Sequence, residues 1–302
     1  MSSDSARPVL IVNPRSGGGK AAHFDLVAQC RARGIEPILF QPGDDLTTLA
    51  TTAVRDGADA LGMAGGDGSQ AAVAAVAAEH GLPYVCVPAG TRNHFALDLG
   101  IDRNDVVGAL DAFIDGRERR IDLGRVNGRV FVNNAAMGVY GAVVQSSAYR
   151  DHKVRTVIDM LPELVGPGAE PFDLRFSGRD GREHDTAVLV LVSNNPYAID
   201  PRPQRATRGD LDGGVLGVVA VTGPPPDGLT EWSTPTFRVD SATAVALGID
   251  GESVTMEPPL VFGSDPLALR VRVPSRRSRR RPVGPGLPPR PKRRSALPDD
   301  QP

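Results

Sequence analysis

Three glycine-containing loops hold the residues of this sequence that are best suited to chemistry. They are Asn13-Pro14-Arg15-Ser16-Gly17-Gly18-Gly19-Lys20, Gly65-Gly66-Asp67-Gly68-Ser69 and Pro88-Ala89-Gly90-Thr91-Arg92-Asn93. Glycines let backbone N–H groups approach phosphate oxygens closely, and the N-terminus of a following helix adds a partial positive charge. The loops therefore indicate phosphate binding. Asp67 is then free to meet magnesium or an acceptor hydroxyl, and Thr91 and Asn93 can hydrogen-bond a phosphate or a purine.

Each loop also has a plainer interpretation. The first is not a Walker A loop, because Ala21 follows its lysine and no glycine stands where that loop would begin, so it can be a tight turn. The second also fits the relaxed dinucleotide fingerprint Gly66-x-Gly68-x-x-Ala71, but the next strand ends in Val87-Pro88-Ala89, without the acidic residue that holds a ribose. In the third loop, Asn93 can simply cap a turn.

Two acidic turns lie in the second half of the chain. Gly209-Asp210-Leu211-Asp212-Gly213-Gly214 combines carboxylates with nearby backbone carbonyls, which are ligands that suit a hard cation such as magnesium. Asp250-Gly251-Glu252 offers a carboxylate pair that can accept a proton from an acceptor alcohol. Because Asp-Gly is also an ordinary β-turn signal, each segment can alternatively be a hairpin turn alone.

Strands that alternate with helices must position the loops in the first part of the chain. Short apolar runs at residues 8–13, 35–40, 58–64 and 82–87 predict buried strands, and helical segments separate them. This rhythm predicts an α/β fold with a doubly wound parallel sheet, in which ligands bind at the carboxyl ends of the strands. The glycine-containing loops follow such ends.

After about Ile121 the pattern changes to short β-rich runs separated by turn residues, at 129–134, 187–193, 215–221, 236–239, 244–249 and 267–273. These runs predict a second, mostly antiparallel domain, in which residues 142–164 form the clear helical candidate. The chain therefore divides into domains 1–122 and 123–274, followed by a tail, 275–302, that is rich in Arg and Pro and predicted to be disordered.

Composition and charge limit the cellular location and the partners that can be expected for this protein. The 302 residues carry a formal net charge of −2, with only two cysteines and no Cys/His spacing for zinc. The polar N-terminus does not resemble a signal peptide, and no stretch is apolar for long enough to cross a bilayer, so a cytoplasmic location is expected. Basic residues cluster in the tail, where they can contact anionic lipid or remain solvated; no specific nucleic-acid partner is expected.

Together the motifs resemble the catalytic family of the diacylglycerol kinases, which includes bacterial lipid kinases and sphingosine and ceramide kinases. Asn13-Pro14-x-Ser16-Gly17, Gly65-Gly66-Asp67-Gly68-Ser69, Pro88-x-Gly90-Thr91-x-Asn93 and Asp250-Gly251-Glu252 stand in that family's order, and the match covers nearly the whole chain up to Pro274. The resemblance implies an α/β ATP-binding domain and a β-sandwich-like, acceptor-binding second domain, with ATP in the cleft between them. It also implies a kinase that transfers the γ-phosphoryl group of ATP to the hydroxyl of a lipid such as diacylglycerol.

The resemblance assigns roles to individual residues. Glu252 is the implied proton acceptor, supported by Asp250, and Asp67 is an alternative base; the choice between Glu252 and Asp67 stays open. Asp67 also helps to hold the Mg²⁺ of the nucleotide, and Asp212 forms a second Mg²⁺ site with backbone carbonyls near Gly209 and Gly214. The implied contacts to ATP are Asn13, Pro14, Ser16, Gly17, Gly65, Gly66, Asp67, Gly68, Ser69, Gly90, Thr91 and Asn93.

This sequence departs from the family pattern at two positions, and two rival functions stay open. Ser69 replaces the usual threonine and keeps its hydroxyl, whereas His94 stands where the family usually has aspartate. The rivals are an enzyme similar to NAD kinase and a catalytically silent lipid-binding homologue. The expected partner is a lipid acceptor at the membrane surface, which the protein visits peripherally, with its basic tail against anionic lipid.

Overall fold

The computed structural model describes residues 6–139, 170–197, 208–223 and 227–275. The predicted helix at 142–164 and all but the first residue of the predicted tail lie outside the described residues. Within them, no helix is long and apolar enough to span a bilayer.

Strands and short helices alternate in the first part of the chain, and strands dominate the rest. The strands are β1 (Pro8–Val12), β2 (Glu36–Leu39), β3 (Ala60–Ala64), β4 (Tyr84–Val87), β5 (Gly116–Val126), β6 (Arg129–Phe131), β7 (Asn134–Gly138), β8 (Phe172–Ser177), β9 (Glu183–Ala187), β10 (Leu189–Asn194), β11 (Leu216–Val221), β12 (Leu229–Thr234), β13 (Thr236–Val239), β14 (Val245–Ile249), β15 (Glu252–Met256) and β16 (Leu260–Pro274). The helices are α1 (Lys20–His23), α2 (Leu26–Arg31), α3 (Leu46–Arg55), α4 (Asp67–Glu79), α5 (His94–Asp98) and α6 (Ala112–Asp115), with 3-10 turns at Ser16–Gly18 and Gly108–Asp111.

The first sheet has eight strands, which run in the order β2-β1-β3-β4-β16-β5-β6, with β13 paired to β16. Its strands β1 to β4 are parallel, and β1 and β3 are buried on both faces, as apolar strands between two helical layers must be. The order reverses at β1, since β2 lies on one side of it and β3 on the other. Such a reversal opens a crevice at the carboxyl ends of the strands, and the first two glycine-containing loops lie there.

Antiparallel strands build the second part of the fold. Six of them form a sheet in the order β12-β11-β10-β7-β14-β15, and β8 and β9 form a separate pair. A second apolar core joins this sheet to β8, β13 and the β5, β6 and β16 end of the first sheet, through residues such as Met137, Val190, Phe237 and Phe262. The packing of two β-layers on one core agrees with the predicted sandwich-like architecture, and the predicted α/β fold class is confirmed.

Three runs that were assigned to the second domain pair within the first sheet: 129–131 is β6, 236–239 is β13, and 267–273 is the end of β16. The end of β16 inserts between β4 and β5. An alternating apolar pattern identifies a strand without identifying its neighbours, because sheet partners are set by long-range packing. The predicted domain boundary at 122/123 stays a prediction.

Candidate active site

The three glycine-containing loops pack directly against one another at the carboxyl ends of the strands. Gly17 has a φ of +58° and faces the carbonyl oxygen of Ala89, leaving no room for a side chain. A Cβ on Gly90 would lie 2.5 Å from the Cα of Gly66. Lys20 donates from Nζ to the carbonyl oxygen of Gly90 over 3.1 Å. Glycine is therefore required at positions 17 and 90, where the loops touch. From the sequence alone, these glycines indicated only that a phosphate can come close to the backbone.

Asp67 joins the second loop to the third. It is the first residue of α4 and is 9% exposed, and its two carboxylate oxygens accept the backbone N–H groups of His94 (3.2 Å) and Phe95 (3.0 Å). Since these N–H groups begin α5, the Asp67 carboxylate fixes the start of that helix. Asp67 also lines the cavity described below.

Two asparagines of the predicted ATP contacts use their side chains within their own loops. Asn93 is 3% exposed; its side chain accepts the Gly90 N–H (2.9 Å) and donates to the carbonyl oxygens of Pro88 (3.2 Å) and Gly90 (2.9 Å). The Asn13 side chain accepts the Arg15 N–H over 3.0 Å. Both therefore stabilise loop shape, and for Asn93 this is the turn-capping alternative raised by the sequence.

Asp250 is half-buried in the wall of the site and holds a neighbouring turn. Its carboxylate accepts three backbone N–H groups, from Val132 (2.8 Å), Asn133 (2.8 Å) and Asn134 (3.2 Å). Burial raises the pKa of Asp250 to about 7, and the negative charge of Asp67 adds to the rise, whereas the three N–H bonds oppose it. Asp250 is thus bonded to backbone rather than free to meet a substrate.

Glu252 projects from the start of β15 over the N-terminus of α4. A Cβ on Gly68 would lie 2.5 Å from the Glu252 carboxyl carbon, so the absence of a side chain at Gly68 lets the carboxylate approach. Its Oε2 accepts a hydrogen bond from Arg129 over 2.9 Å, with about half of the Glu252 side chain exposed. Of the three acidic residues, Glu252 has the carboxylate that reaches furthest into open space at the phosphate-type loop.

Asp67, Asp250 and Glu252 line one cavity of about 260 Å³, which we call the loop cavity. Its walls come from the glycine-containing loops on one side and from β7, β10 and the β14–β15 turn on the other. A wider cavity of about 810 Å³ lies on the far side of Gly68 and Glu252 and includes Phe40, Arg125 and Arg129. The loop cavity is lined by Ser16, Gly66, Asp67, Gly68, Ser69, Thr91, Arg92, His94, Asp98, Asn133, Asn134, Leu191, Tyr197, Asp250, Gly251 and Glu252.

A buried ion pair beside the loop cavity was missed by sequence reasoning. Arg208 and Asp98 have side chains that are 0% and 4% exposed, with 2.7 Å between Nη2 and Oδ2. Burial alone would lower the pKa of Arg208, but the Asp98 carboxylate raises it, so the guanidinium stays charged. Arg208 also donates to the carbonyl oxygens of Val132 (2.6 Å) and Asn194 (2.7 Å), tying α5 to the antiparallel sheet. No motif signals this pair, because its members lie 110 positions apart.

A second carboxylate that sequence reasoning missed, Asp122 of β5, lies beneath the predicted cation loop. Asp212 and Gly209 are exposed, as expected of a surface loop. Asp122 is fully buried beneath them and accepts the N–H groups of Gly214 (2.6 Å) and Leu267 (2.8 Å) and the Asn195 side-chain amide (3.1 Å). In the described part of the chain no three His, Cys, Asp or Glu residues are grouped to hold a metal. A cation at this loop would therefore need backbone carbonyls and water besides Asp212.

Fold and site together define an α/β protein in which phosphate-type loops meet an acidic β-turn across one cavity. The family model for the diacylglycerol kinase catalytic domain matches residues 7–126. A diacylglycerol kinase from Staphylococcus aureus (strain JH9) is 31% identical over 231 residues, which are 71% of this chain and 70% of that protein. The chain therefore belongs to the diacylglycerol kinase catalytic domain family.

A further relative and a solved structure are also similar to this chain. A diacylglycerol kinase from Mycobacterium tuberculosis (strain ATCC 25618 / H37Rv) is 35% identical over 196 residues, 60% of this chain, and the match spans 62% of the length of that relative. The crystal structure of a diacylglycerol kinase from Bacillus anthracis str. Sterne has a TM-score of 0.66 at 19% identity, covering 90% of this chain and 98% of that chain. The structural likeness extends the shared fold across both parts of the protein.

Proposed function

We propose that this protein is an ATP-dependent lipid kinase, which transfers the γ-phosphoryl group of ATP to the hydroxyl of a lipid acceptor such as diacylglycerol. The observation that carries the proposal is the position of Glu252, whose carboxylate lies over Gly68 at the N-terminus of α4, in the same cavity as Asp67. A proton acceptor beside a phosphate-type helix N-terminus suits transfer of a phosphoryl group to an alcohol. The kinase names of the relatives agree with it.

In this mechanism the backbone N–H groups at the start of α4 bind the nucleotide phosphates, aided by the positive end of a 13-residue helix. Glu252 takes the proton of the acceptor hydroxyl while the oxygen of that hydroxyl bonds to the γ-phosphorus. At the same time the bond between the γ-phosphorus and the oxygen that bridges it to the β-phosphate breaks, which releases ADP. Asp67 orients the third loop through the N–H groups of α5 and remains the alternative base. Asp250 is a positioning residue, since its carboxylate is occupied by backbone N–H groups.

Mg²⁺ is part of the proposal. It would offset the negative charge of the transferred phosphoryl group when bound with the nucleotide. Asp67 would help to hold this ion, and Asp212 with backbone carbonyls near Gly209 and Gly214 would hold a second one. All of these donors are oxygens, as Mg²⁺ prefers, and exposed Asp212 has room for the waters that Mg²⁺ keeps. Peripheral membrane contact through the basic tail is likewise proposed, and residues 276–302 lie outside the described part.

The test is phosphoryl transfer from labelled ATP with Mg²⁺ to a panel of lipids in mixed micelles. Glu252→Gln keeps the size of the side chain but removes the proton acceptor, and we expect kcat to fall about 100-fold or more. Glu257→Gln is the matched control, because Glu257 is an exposed glutamate five positions along the same hairpin, and it should leave kcat unchanged. Asp67→Asn reports on the alternative base.

The outcomes separate the candidate functions. Label in a lipid that is lost in Glu252→Gln supports the proposal and identifies the acceptor. Label in NAD instead of a lipid would point to an NAD kinase-like enzyme, and lipid binding without any turnover to a silent homologue. Wild-type transfer that survives in Glu252→Gln but not in Asp67→Asn would move the base to Asp67.

A further inference from the structure

A buried glutamine lies beneath the second glycine-containing loop. Gln70 is the fourth residue of α4 and is 2% exposed, so it faces away from the loop cavity and into the core. A buried amide is destabilising unless all its polar atoms are paired. Because Gln70 lies directly under the phosphate-type loop, its hydrogen-bond partners show which segments of the fold it connects.

The Gln70 amide nitrogen contacts three backbone carbonyls that belong to different elements. Nε2 lies 3.0 Å from the carbonyl oxygen of Met63 in β3, 3.2 Å from that of Gly65 in the second loop, and 3.1 Å from that of Val87 at the end of β4. The amide has two N–H groups, which these three acceptors share. One side chain thus joins α4 to the ends of the two strands that carry the second and third loops.

The orientation of the amide is fixed by Tyr84. The Tyr84 hydroxyl donates to Gln70 Oε1 over 2.5 Å, and Tyr84 is fully buried in β4. Burial raises the pKa of Tyr84 well above its usual value, so the hydroxyl keeps its proton and remains a donor. Because Oε1 is held as an acceptor, Nε2 must face the carbonyls. No contact to the loop cavity is involved.

We propose that Gln70 is a positioning residue for phosphoryl transfer, which sets the spacing between the second and third glycine-containing loops through its bonds to Gly65 and Val87. The inference rests on the proposed kinase function. The two loops touch at Gly66 and Gly90, so a change in the angle between β3 and β4 displaces the amides and the Asp67 carboxylate relative to Glu252. Misplacement of reacting groups by about 1 Å can lower a rate by roughly 100-fold.

The test separates this role from plain stability by pairing two variants. Tyr84→Phe removes the hydroxyl but keeps the Gln70 bonds to the carbonyls. Gln70→Leu with Tyr84→Phe removes the amide as well, and replaces the hydroxyl and the amide by apolar groups of similar size. Each variant leaves acceptors unpaired, Gln70 Oε1 in Tyr84→Phe and the three carbonyl oxygens in the double variant, so we expect Tm to fall in both. Gln29→Leu is the control for the substitution type, because Gln29 is half-buried on α2, where its side chain accepts a hydrogen bond from Arg33.

The expected result is a kcat about 10- to 100-fold lower in the double variant than in Tyr84→Phe, measured well below both Tm values, with Gln29→Leu equal to wild type. Equal kcat in the double variant and Tyr84→Phe would overturn the positioning role. If the two Tm values differ by more than a few degrees, Gln70→Met with Tyr84→Phe replaces the leucine variant, since methionine matches the length of glutamine but has no N–H donor; the same comparison of kcat then decides.

Hydrogen exchange gives a readout that needs no substrate. The amides of residues 65–69 and 89–93 should exchange faster in the double variant than in Tyr84→Phe, because their loops lose a shared anchor. Unchanged exchange would refute the positioning role even if the wild type proved to be a lipid kinase. If exchange is faster in the double variant but the wild type transfers no phosphoryl group, Gln70 is still the loop anchor and the proposed kinase function is rejected instead.

Discussion

Asp98→Ala removes the carboxylate that faces the buried Arg208 guanidinium. In the wild type, Asp98 accepts from Arg208 Nε over 2.9 Å and Nη2 over 2.7 Å, and from its backbone N–H over 3.2 Å. The variant leaves a full positive charge that is 0% exposed, and its remaining hydrogen-bond acceptors among the described residues are neutral, including the carbonyl oxygens of Val132 and Asn194. Those bonds hold the guanidinium in place, so it cannot turn to water without breaking them.

The size of the effect follows from this burial. Removing one partner of a buried ion pair typically destabilises a protein by about 3–5 kcal/mol, because an uncompensated charge remains. Total stabilities of domains are about 5–15 kcal/mol, so the variant should still fold, with a much reduced margin. Deleting the charge as well, in Asp98→Ala with Arg208→Met, should recover part of the loss.

Urea denaturation with a matched exposed pair is the assay. Arg238 and Asp240 form an ion pair of similar length, 2.8 Å, whose side chains are 60% and 40% exposed. Asp240→Ala should reduce the free energy of unfolding by less than about 1 kcal/mol, because solvent screens exposed pairs. If Asp98→Ala were no more destabilising than Asp240→Ala, Arg208 would not be a buried charge that links α5 to the antiparallel sheet.

Two further predictions concern the acidic turn. The folded-state pKa of Asp250 is raised from 3.8 to about 7, so its protonated form stabilises the fold at low pH, and this stabilisation is lost as pH rises through 7. The free energy of unfolding should therefore fall by about 2–3 kcal/mol more between pH 5 and 8 in wild type than in Asp250→Asn. Equal slopes in the two proteins would contradict this prediction. Gly68→Ala should lower kcat about 10-fold or more by displacing Glu252, whereas its Tm should stay equal or rise because alanine favours a helix. Unchanged kcat would contradict the assigned position of Glu252.

Local sequence patterns predicted the parts of the fold that depend on neighbouring residues. The apolar runs at β1, β3 and β4 identified buried parallel strands, and parallel strands necessarily bring the loops that follow them to one edge of a sheet. An aspartate before a helix is a local cap signal of the same kind, and the Asp45 side chain caps α3 by accepting the Thr48 N–H over 2.7 Å. These inferences succeed because each needs only a few consecutive residues.

The remaining features depend on contacts between distant segments. The pairing of Asp98 with Arg208, and of Asp122 with Gly214 and Leu267, arises only when the antiparallel part packs on the first sheet. An isolated Asp or Arg in a sequence predicts a solvated surface residue, because charges are seldom fully buried. Similarly, Gln70 gives no periodic signal, and its carbonyl partners exist only in the assembled loop.

The place of β16 in the first sheet affects how this protein must be made. A ribosome releases β4 and β5 long before β16, which lies between them in the finished sheet. Until β16 emerges, the facing edges of β4 and β5 expose unpaired N–H and C=O groups, and such edges invite pairing with other chains. The segment 7–126 that matches the family model therefore lacks a strand of its own sheet, and the nascent protein depends on its last described strand to close an edge open to aggregation.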